Sequence, residues 1–328
     1  MEQPYRIDVG YCLRRSGLLT EYAAELSRLE EICTQRLFAF PFCLQKVGKA
    51  LLQHYARRWR GVEWVQPLVL STAWAVPAAS RQAVAVANAM TTMHAHIQRE
   101  AIDVSPRHSR EQLPLGSLLY TQVLRQYQQL FLPNSCFWRL LEGYYLEWAE
   151  AVLWEQQRKW GRVRRYSREE TFRQAGIRAL LKISGAAIAL LSGNQQIITP
   201  LSSVLDQVHV ALQLVDGIVN WREDLRAQRA TYFLTEVALA LNVREMDNLC
   251  RSNVKEFLGT GVSLDKVIKR AMKHLLAAKK VASRLNAPAL STYLDKLEAA
   301  CLQIPCQGNC DLGASSTTLE PLPASVPS

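Results

Sequence analysis

Hydrophobic residues recur at three- and four-residue steps along most of this chain, and no convincing segment alternates apolar with polar residues. The clearest stripe lies within residues 205–233, where Val208, Leu212, Val215 and Val219 share one helical face. The same spacing predicts helices over residues 18–36, 38–58 with a break near Pro41, 65–74, 81–103, 117–131, 137–160, 169–191 and 264–285. The pattern therefore predicts an all-α fold.

The helix predicted over residues 205–233 carries polar side chains along one edge. Asp216, Asn220 and Asp224 stand at i, i+4 and i+8, which places three oxygen-bearing side chains within about 12 Å along the helix axis. Oxygen ligands suit Mg²⁺ better than a transition metal. Basic residues follow at once, as expected if a diphosphate lay on that ion; they are Arg222, Arg226 and Arg229. A solvated acidic face is the alternative, and the apolar neighbours of these residues argue against it.

The segment LQLVDGIVNWREDL, with the basic loop and the Thr-Tyr pair that come after it, resembles the second metal-binding helix of class I isoprenoid synthases. This superfamily contains the trans-prenyltransferases and the terpene cyclases. Gly217 stands where the prenyltransferase motif DDxxD has its second aspartate, whereas Asp216, Asn220 and Asp224 meet the spacing of the cyclase triad. The resemblance implies a single helical bundle with a central cavity, Mg²⁺ as cofactor and a prenyl diphosphate as substrate.

The first aspartate-rich motif of this superfamily belongs in the helix predicted over residues 81–103. Arg99, Glu100 and Asp103 stand at its three positions, so the resemblance implies Glu100 and Asp103 as metal ligands. Arg99 replaces a carboxylate, and its positive charge weakens the binding of a cation. Two interpretations stay open: Arg99 contacts the diphosphate directly, or the fold serves another purpose.

Further basic residues are expected at the diphosphate. Residues 177–187 resemble the helix of the superfamily that reaches this group, and they contain Arg178 and Lys182. Lys182 lies in an apolar run, so its ammonium needs either a diphosphate or an acidic side chain from a neighbouring helix. The predicted catalytic residues are Lys182, Arg226 and Arg229. The predicted substrate-binding residues are Arg99, Arg178, Lys182, Arg226 and Arg229.

Residues 61–67, GVEWVQP, lie where chain-elongating prenyltransferases carry a basic Gly-Lys-Arg-x-Arg-Pro signature for isopentenyl diphosphate. After the glycine, Pro67 alone matches that signature, and all of its basic residues are missing. This loss favours a Mg²⁺-dependent terpene synthase or cyclase that ionises one prenyl diphosphate. The alternatives are a prenyl diphosphate synthase-like transferase, and a non-catalytic homologue acting as a partner subunit or prenyl-binding protein.

The chain has 328 residues and a net charge of +10. This surplus suits nucleic acid, an anionic membrane or a phosphorylated substrate, but no helix-turn-helix, zinc-finger or RNA-recognition signature is found, so no nucleic-acid partner is expected. The basic helix predicted over residues 264–285 indicates a solvated surface, with peripheral membrane contact as the alternative.

Location and domain organisation are inferred from the apolar content. No uncharged apolar stretch reaches 18 residues and the N-terminus carries no apolar signal, so we expect a cytoplasmic protein without a transmembrane segment. We predict an N-terminal segment (1–15), one helical domain (16–300) and a disordered tail (301–328) that contains Cys, Ser and Pro. A homodimer stays open.

Overall fold

The computed structural model describes Cys12 and residues 15–58, 62–103, 106–158, 161–259 and 262–304; the side chains of residues 54–58, 103, 106–111, 259 and 262–263 lie outside this description. Within these ranges the chain is helical, and the described residues form no strand, only an isolated bridge between Arg162 and Glu245. The predicted all-α class is therefore confirmed.

Fifteen α-helices are defined within the described ranges. The first seven are α1 (Leu18–Glu21), α2 (Ala23–Leu37), α3 (Phe42–Arg58), α4 (Val65–Ala73), α5 (Ala78–Asp103), α6 (Pro106–Gln128) and α7 (Cys136–Gln157). The others are α8 (Arg168–Ala175), α9 (Lys182–Leu191), α10 (Ile198–Val219), α11 (Trp221–Arg226), α12 (Tyr232–Ala240), α13 (Arg251–Gly259), α14 (Val262–Ala282) and α15 (Pro288–Leu302).

Helix α10 lies at the centre of the bundle. It is apolar on nearly all sides and packs against α8, α9, α12 and α14, as expected of a helix without a solvent-facing stripe. Helix α5 packs against α2, α4, α6 and α9. A 3₁₀ turn, Gly176–Leu181, contacts α5, α7 and α10. The turn therefore lies where the two predicted acidic segments can meet.

Three predicted helices differ in detail. The helix over 205–233 is interrupted at Asn220, and the chain continues as α11 and α12. The helix over 169–191 changes to the 3₁₀ turn at Gly176, so the break lies before the small residues at 185–187. The helix predicted to begin at residue 117 begins, within the described residues, at Pro106, and proline is favoured at the first position of a helix.

Local sequence features define the start of α8 and the end of α9. Ser167 and Glu170 form a reciprocal capping box that fixes the start of α8. Gly193 has φ +73° directly after α9, a conformation that glycine adopts without strain. Gly185 lies against α10, where an added Cβ would come within 3.1 Å of Leu205. Its small size therefore serves close helix packing.

The remaining predictions concern the surface and the ends. Residues Arg168–Leu191 form the one stretch in the described ranges that is long and apolar enough to cross a membrane, and 83% of its apolar window is buried, as in the core of a soluble protein. Helix α14 buries one face on α10, and its Lys279 pairs with Asp295 and Glu298 of α15. The N-terminal segment apart from Cys12 and Arg15, and most of the predicted disordered tail, lie outside the described residues.

Candidate functional site

A cavity of about 170 Å³ opens between α5, the 3₁₀ turn, α10 and α11. Both polar segments singled out in the sequence line it. The charged and amide-bearing residues of its wall are Glu63, Arg99, Glu100, Arg178, Gln213, Asp216, Asn220, Glu223, Asp224 and Arg229. The bundle therefore brings together two segments that lie more than 100 positions apart in the sequence.

Arg178 reaches this cavity from the 3₁₀ turn and is buried. Its guanidinium donates hydrogen bonds to the carboxylate of Asp216 and to the side-chain oxygen of Gln213, both on α10. Its Nε lies 3.7 Å from the carboxylate of Glu63, which precedes α4. Burial raises the pKa of Glu63 to about 7, and Arg178 opposes that rise. Arg178 therefore pairs with Asp216 on α10 and also lies close to Glu63 in the turn before α4.

Asp224 and Arg229 form a second pair at the same wall. Arg229 Nη1 donates to Asp224 Oδ1 over 3.2 Å, and the backbone N–H of Arg229 donates to the carbonyl of Asp224. Burial raises the pKa of Asp224 to about 7, although Arg229 and Arg99 oppose the shift. Burial likewise raises the pKa of Asp216 against the effect of Arg178. Both aspartates are thus buried carboxylates that depend on a positive partner.

Arg99 lines the cavity from α5, and its guanidinium pairs with a carboxylate on α7. Its Nη2 donates to both carboxylate oxygens of Glu155 on α7 at 3.0 Å. The same guanidinium is close enough to oppose the raised pKa of both Asp216 and Asp224. Arg99, which stands in place of a carboxylate of the first motif, therefore directs a positive charge towards the wall that carries Asp216 and Asp224.

The other predicted metal ligands are placed as follows. Glu100 and Asn220 line the cavity. The backbone of Asn220 joins α10 to α11: its N–H donates to Asp216 and its carbonyl accepts from Asp224. The interruption thus keeps all three residues on the same wall. Asp103 ends α5, and its side chain lies outside the described part of the structure.

Lys182 is not brought to the cavity. Its Nζ donates to Glu147 of α7 at 2.6 and 2.7 Å and to Asp206 of α10 at 2.8 Å. Burial lowers the pKa of Lys182, but these carboxylates outweigh it and the net shift is upward. Of the two partners expected for Lys182, the structure shows the acidic side chains. Lys182 does not line the cavity, so its predicted contact with a diphosphate is not supported.

Arg226 also lies away from the cavity. It lines a separate basic pocket, together with Trp221, Arg222, Leu225 and Arg251. Because α11 is helical, residues 220 and 224 face the cavity while residues 222 and 226 lie on another face. Of the three arginines after Asp216 that the sequence singles out, Arg229 alone lines the cavity.

Several cavity residues were not predicted. Glu63 lies within residues 61–67, and no sequence signature there marks its carboxylate as part of a site. Gln213 lies three positions before Asp216 on the same face, which helical spacing could have revealed. Trp148 lines the cavity from α7, and it is one of several aromatic residues of that helix that the sequence does not distinguish from core residues. Glu155 acts through Arg99, and no local signal predicts this pair.

The oxygen-bearing side chains of this cavity are of the type that binds a hard divalent cation, but in this structure two of them form ion pairs with arginines. Glu100, Asp216, Asn220 and Asp224 offer the oxygen atoms that Mg²⁺ prefers. Among the described side chains, however, no three acidic, histidine or cysteine residues converge as a metal site requires. The two aspartates contact Arg178 and Arg229 instead. The residues therefore fit such an ion only after these pairs open.

No protein-family model and no curated protein matches the sequence. Solved structures match its fold. A geranylgeranyl pyrophosphate synthetase from the archaeon Geoglobus acetivorans is 15% identical with a TM-score of 0.66, over 90% of this chain and 98% of that one. A polyprenyl synthase from Caulobacter crescentus, solved with calcium and isoprenyl diphosphate, is 16% identical with a TM-score of 0.66, over 93% and 99%. The chain has the isoprenoid-synthase fold, and the resemblance seen in the sequence is confirmed at that level.

Proposed function

We propose that this chain binds a prenyl diphosphate in the cavity between α5 and α10 and transfers its prenyl group, as a prenyl diphosphate synthase-like transferase. The observation that carries the proposal is the meeting of two motif segments at one cavity, Arg99 and Glu100 on one side and Asp216 to Asp224 on the other. The structural neighbours are named as prenyl diphosphate synthases, which favours transfer over the cyclisation expected from the sequence.

The diphosphate group is assigned to the arginine-bearing wall. Arg178 from the 3₁₀ turn and Arg229 from the loop after α11 both line the cavity. Guanidinium groups bind phosphate oxygens through paired N–H donors, which lysine cannot imitate. Arg99 adds a third positive charge from α5. These three arginines are proposed as the substrate-binding residues. Lys182 and Arg226 are not proposed for this role, because neither lines the cavity.

The prenyl chain requires an apolar surface beside that wall. Trp148, Ile177, Leu180 and Leu181 line the cavity together with the charged residues. An aromatic face such as Trp148 also attracts a positive charge that develops on an allylic carbon. Mg²⁺, held by Glu100, Asp216, Asn220 and Asp224, would withdraw charge from the leaving diphosphate. Asp103 stays a proposed ligand from its position in the sequence.

A second function is favoured by one observation. The two aspartates of the second motif form ion pairs with arginines, Asp216 with Arg178 and Asp224 with Arg229. While these pairs stay closed, the two aspartates cannot hold Mg²⁺, so a prenyl diphosphate that binds to the cavity would not be ionised. The chain would then be a non-catalytic prenyl-binding protein or partner subunit.

One experiment separates these functions. The protein is incubated with geranyl, farnesyl or geranylgeranyl diphosphate, with and without isopentenyl diphosphate, in Mg²⁺ or in EDTA. Products and inorganic diphosphate are measured by mass spectrometry, and binding of each prenyl diphosphate is measured by calorimetry. A lengthened prenyl diphosphate that forms only with Mg²⁺ supports the transferase. Release of diphosphate and a hydrocarbon or alcohol without isopentenyl diphosphate supports cyclisation. Binding without turnover supports the prenyl-binding protein, and no binding contradicts the proposal.

A further inference from the structure

A second pocket of about 170 Å³ lies on another face of α11, apart from the cavity. It is lined by Trp221, Arg222, Leu225, Arg226 and Arg251. We infer that this pocket is a binding site for a phosphate group, held by the three arginines and carried by a ligand other than the prenyl diphosphate. The inference does not depend on the proposed function, because none of these five residues lines the cavity.

Helix α11 supplies two of the three arginines. Arg222 and Arg226 stand at i and i+4, which brings their side chains to one face of the helix. Trp221 and Leu225 have the same spacing and form an apolar wall beside them, with Trp221 buried and Leu225 partly buried. The guanidinium of Arg222 lies 5.2 Å from the centre of the Trp221 ring, a cation–π distance that helps to hold it at the pocket.

The third arginine comes from a different helix. Arg251 is the first residue of α13, so the pocket joins α11 to the N-terminus of a nine-residue helix. The backbone N–H groups of a first helical turn carry a partial positive charge, which also favours an anion. Arg226 and Arg251 are exposed, so their side chains can turn towards a ligand without disturbing the core.

The chemistry of this lining selects a phosphate group. Guanidinium groups that share one pocket repel each other and any cation, and an anion between them relieves this repulsion. Their paired N–H donors match phosphate oxygens. A phosphate offers more oxygen atoms than a carboxylate, which has two, and can therefore contact arginines from both helices. Because the pocket is small, it suits a single phosphate group of a small ester or a lipid headgroup better than a nucleic-acid backbone.

Chemical modification of the full-length wild type tests the site directly. Phenylglyoxal modifies exposed arginines, and peptide mass spectrometry locates each modified residue. With inorganic phosphate at about twice its dissociation constant, we expect the modification of Arg226 and Arg251 to slow about threefold, by mass action. Arg165, exposed and outside both pockets, should react at an unchanged rate. Equal rates at Arg226 and Arg251 with and without phosphate overturn the inference.

A double variant tests the role of the arginines. Arg226→Gln/Arg251→Gln removes two charges from exposed positions, so the fold should be kept, which thermal melts check. In equilibrium dialysis with radiolabelled phosphate it should lose one phosphate site per chain. The matched control, Arg139→Gln/Arg165→Gln, removes two charges from exposed positions outside both pockets and should keep that site. Unchanged phosphate binding by Arg226→Gln/Arg251→Gln overturns the inference.

A cavity variant separates this site from the cavity. In folded Arg178→Gln/Arg229→Gln, phosphate should still protect Arg226 and Arg251 from phenylglyoxal, and loss of that protection overturns the inference. Binding of farnesyl thiodiphosphate, an analogue that does not ionise readily, is measured separately on the wild type. Its failure to bind would overturn the proposed function and leave the phosphate site untouched.

Vesicles distinguish the two sources of a phosphate group. The wild type, Arg226→Gln/Arg251→Gln and the matched control are sedimented with phosphatidylcholine vesicles that contain phosphatidic acid. Weaker sedimentation of Arg226→Gln/Arg251→Gln than of the other two identifies a lipid headgroup as the ligand. Equal sedimentation of all three, with protection by inorganic phosphate retained in the wild type, identifies a free phosphate ester.

Discussion

Arg178 donates a hydrogen bond to the carboxylate of Asp216 across 38 positions of the sequence. The pair joins the 3₁₀ turn to the central helix α10 at the edge of the cavity. It gives a buried aspartate its counter-charge and at the same time holds an arginine where a phosphate group could be received. The binding of a phosphate group at this cavity is therefore expected to depend on the pair of Arg178 and Asp216.

Replacing Asp216 by Asn should release Arg178 for an anion. The substitution keeps the size of the side chain and removes its negative charge. We expect inorganic diphosphate in EDTA to bind at least about fivefold more tightly than to the wild type, because one competing pair is lost. Isothermal titration calorimetry measures this, with Asp247→Asn, an exposed position outside the cavity lining, as the control. Equal or weaker diphosphate binding would show that Asp216 does not restrain Arg178.

Arg229 and Arg226 offer a direct comparison of the structure with the sequence. Both follow Asp224 closely, but Arg229 lines the cavity and Arg226 lines the other pocket. Arg229→Gln should weaken a prenyl thiodiphosphate analogue by about tenfold or more, the scale of a lost charge-assisted hydrogen bond. Arg226→Gln should weaken it far less. Equal losses in competition binding assays would mean that the basic loop acts as one surface.

Lys182 should matter for folding. Its ammonium joins α7, α9 and α10 through Glu147 and Asp206, whose side chains are 40% and 38% exposed. Because these carboxylates can regain water, Lys182→Met should cost about 1–3 kcal/mol of unfolding free energy, less than a fully buried pair. Urea unfolding measures the loss. The folded variant should bind a prenyl diphosphate analogue about as tightly as the wild type does. A loss of binding without a matching loss of stability would show that Lys182 is a substrate-binding residue.

His274 should make stability depend on pH. It lies on α14, its Nδ1 is 2.7 Å from Gln207 Oε1, and burial, assisted by Arg270, lowers its pKa to about 4. The unfolded histidine titrates near pH 6.5, so between about pH 6.5 and 4 the unfolded state binds more protons. The stability supplied by neutral His274 is therefore present above that window and lost as pH falls through it.

The variant His274→Gln isolates this effect. Relative to the variant, the wild type should lose about 1–2 kcal/mol of unfolding free energy between pH 7 and pH 4, less than the full shift in pKa would give, because His274 is only partly buried and solvent screens its charge. Urea unfolding of both proteins at several pH values gives the difference. Parallel pH profiles would show that His274 is not held neutral.

Periodicity predicted the positions of most long helices and grouped the residues of the acidic wall, but it missed the helix before residue 117 and the interruptions at Gly176 and Asn220. The apolar stripe around Val208 identified the central helix, and helical spacing alone grouped Asp216, Asn220 and Asp224. A short interruption at Asn220 does not disturb this grouping, since the backbone hydrogen bonds on either side keep the direction of the chain.

The choice between Arg178 and Lys182 could not be made from the sequence. They stand four positions apart, and a continuous α-helix would place them on one face. The intervening 3₁₀ turn advances about 120° per residue where an α-helix advances about 100°, so the four steps from Arg178 to Lys182 turn the two side chains about 120° apart instead of about 40°. Arg178 therefore faces the cavity while Lys182 faces α7. Arg99 and Glu155 are 56 positions apart, and their pairing depends on how α5 and α7 pack.

The assignment of this cavity to a prenyl diphosphate is tested most directly by calorimetric titration of farnesyl thiodiphosphate with Mg²⁺. The titrated proteins are the wild type and Arg178→Gln/Arg229→Gln, with Arg165→Gln as the control for charge. We expect binding to the wild type and to the control, and binding at least about 100-fold weaker to the folded double variant, since two charge-assisted contacts are lost. Equal binding to the double variant, or no binding to the wild type, would contradict the assignment.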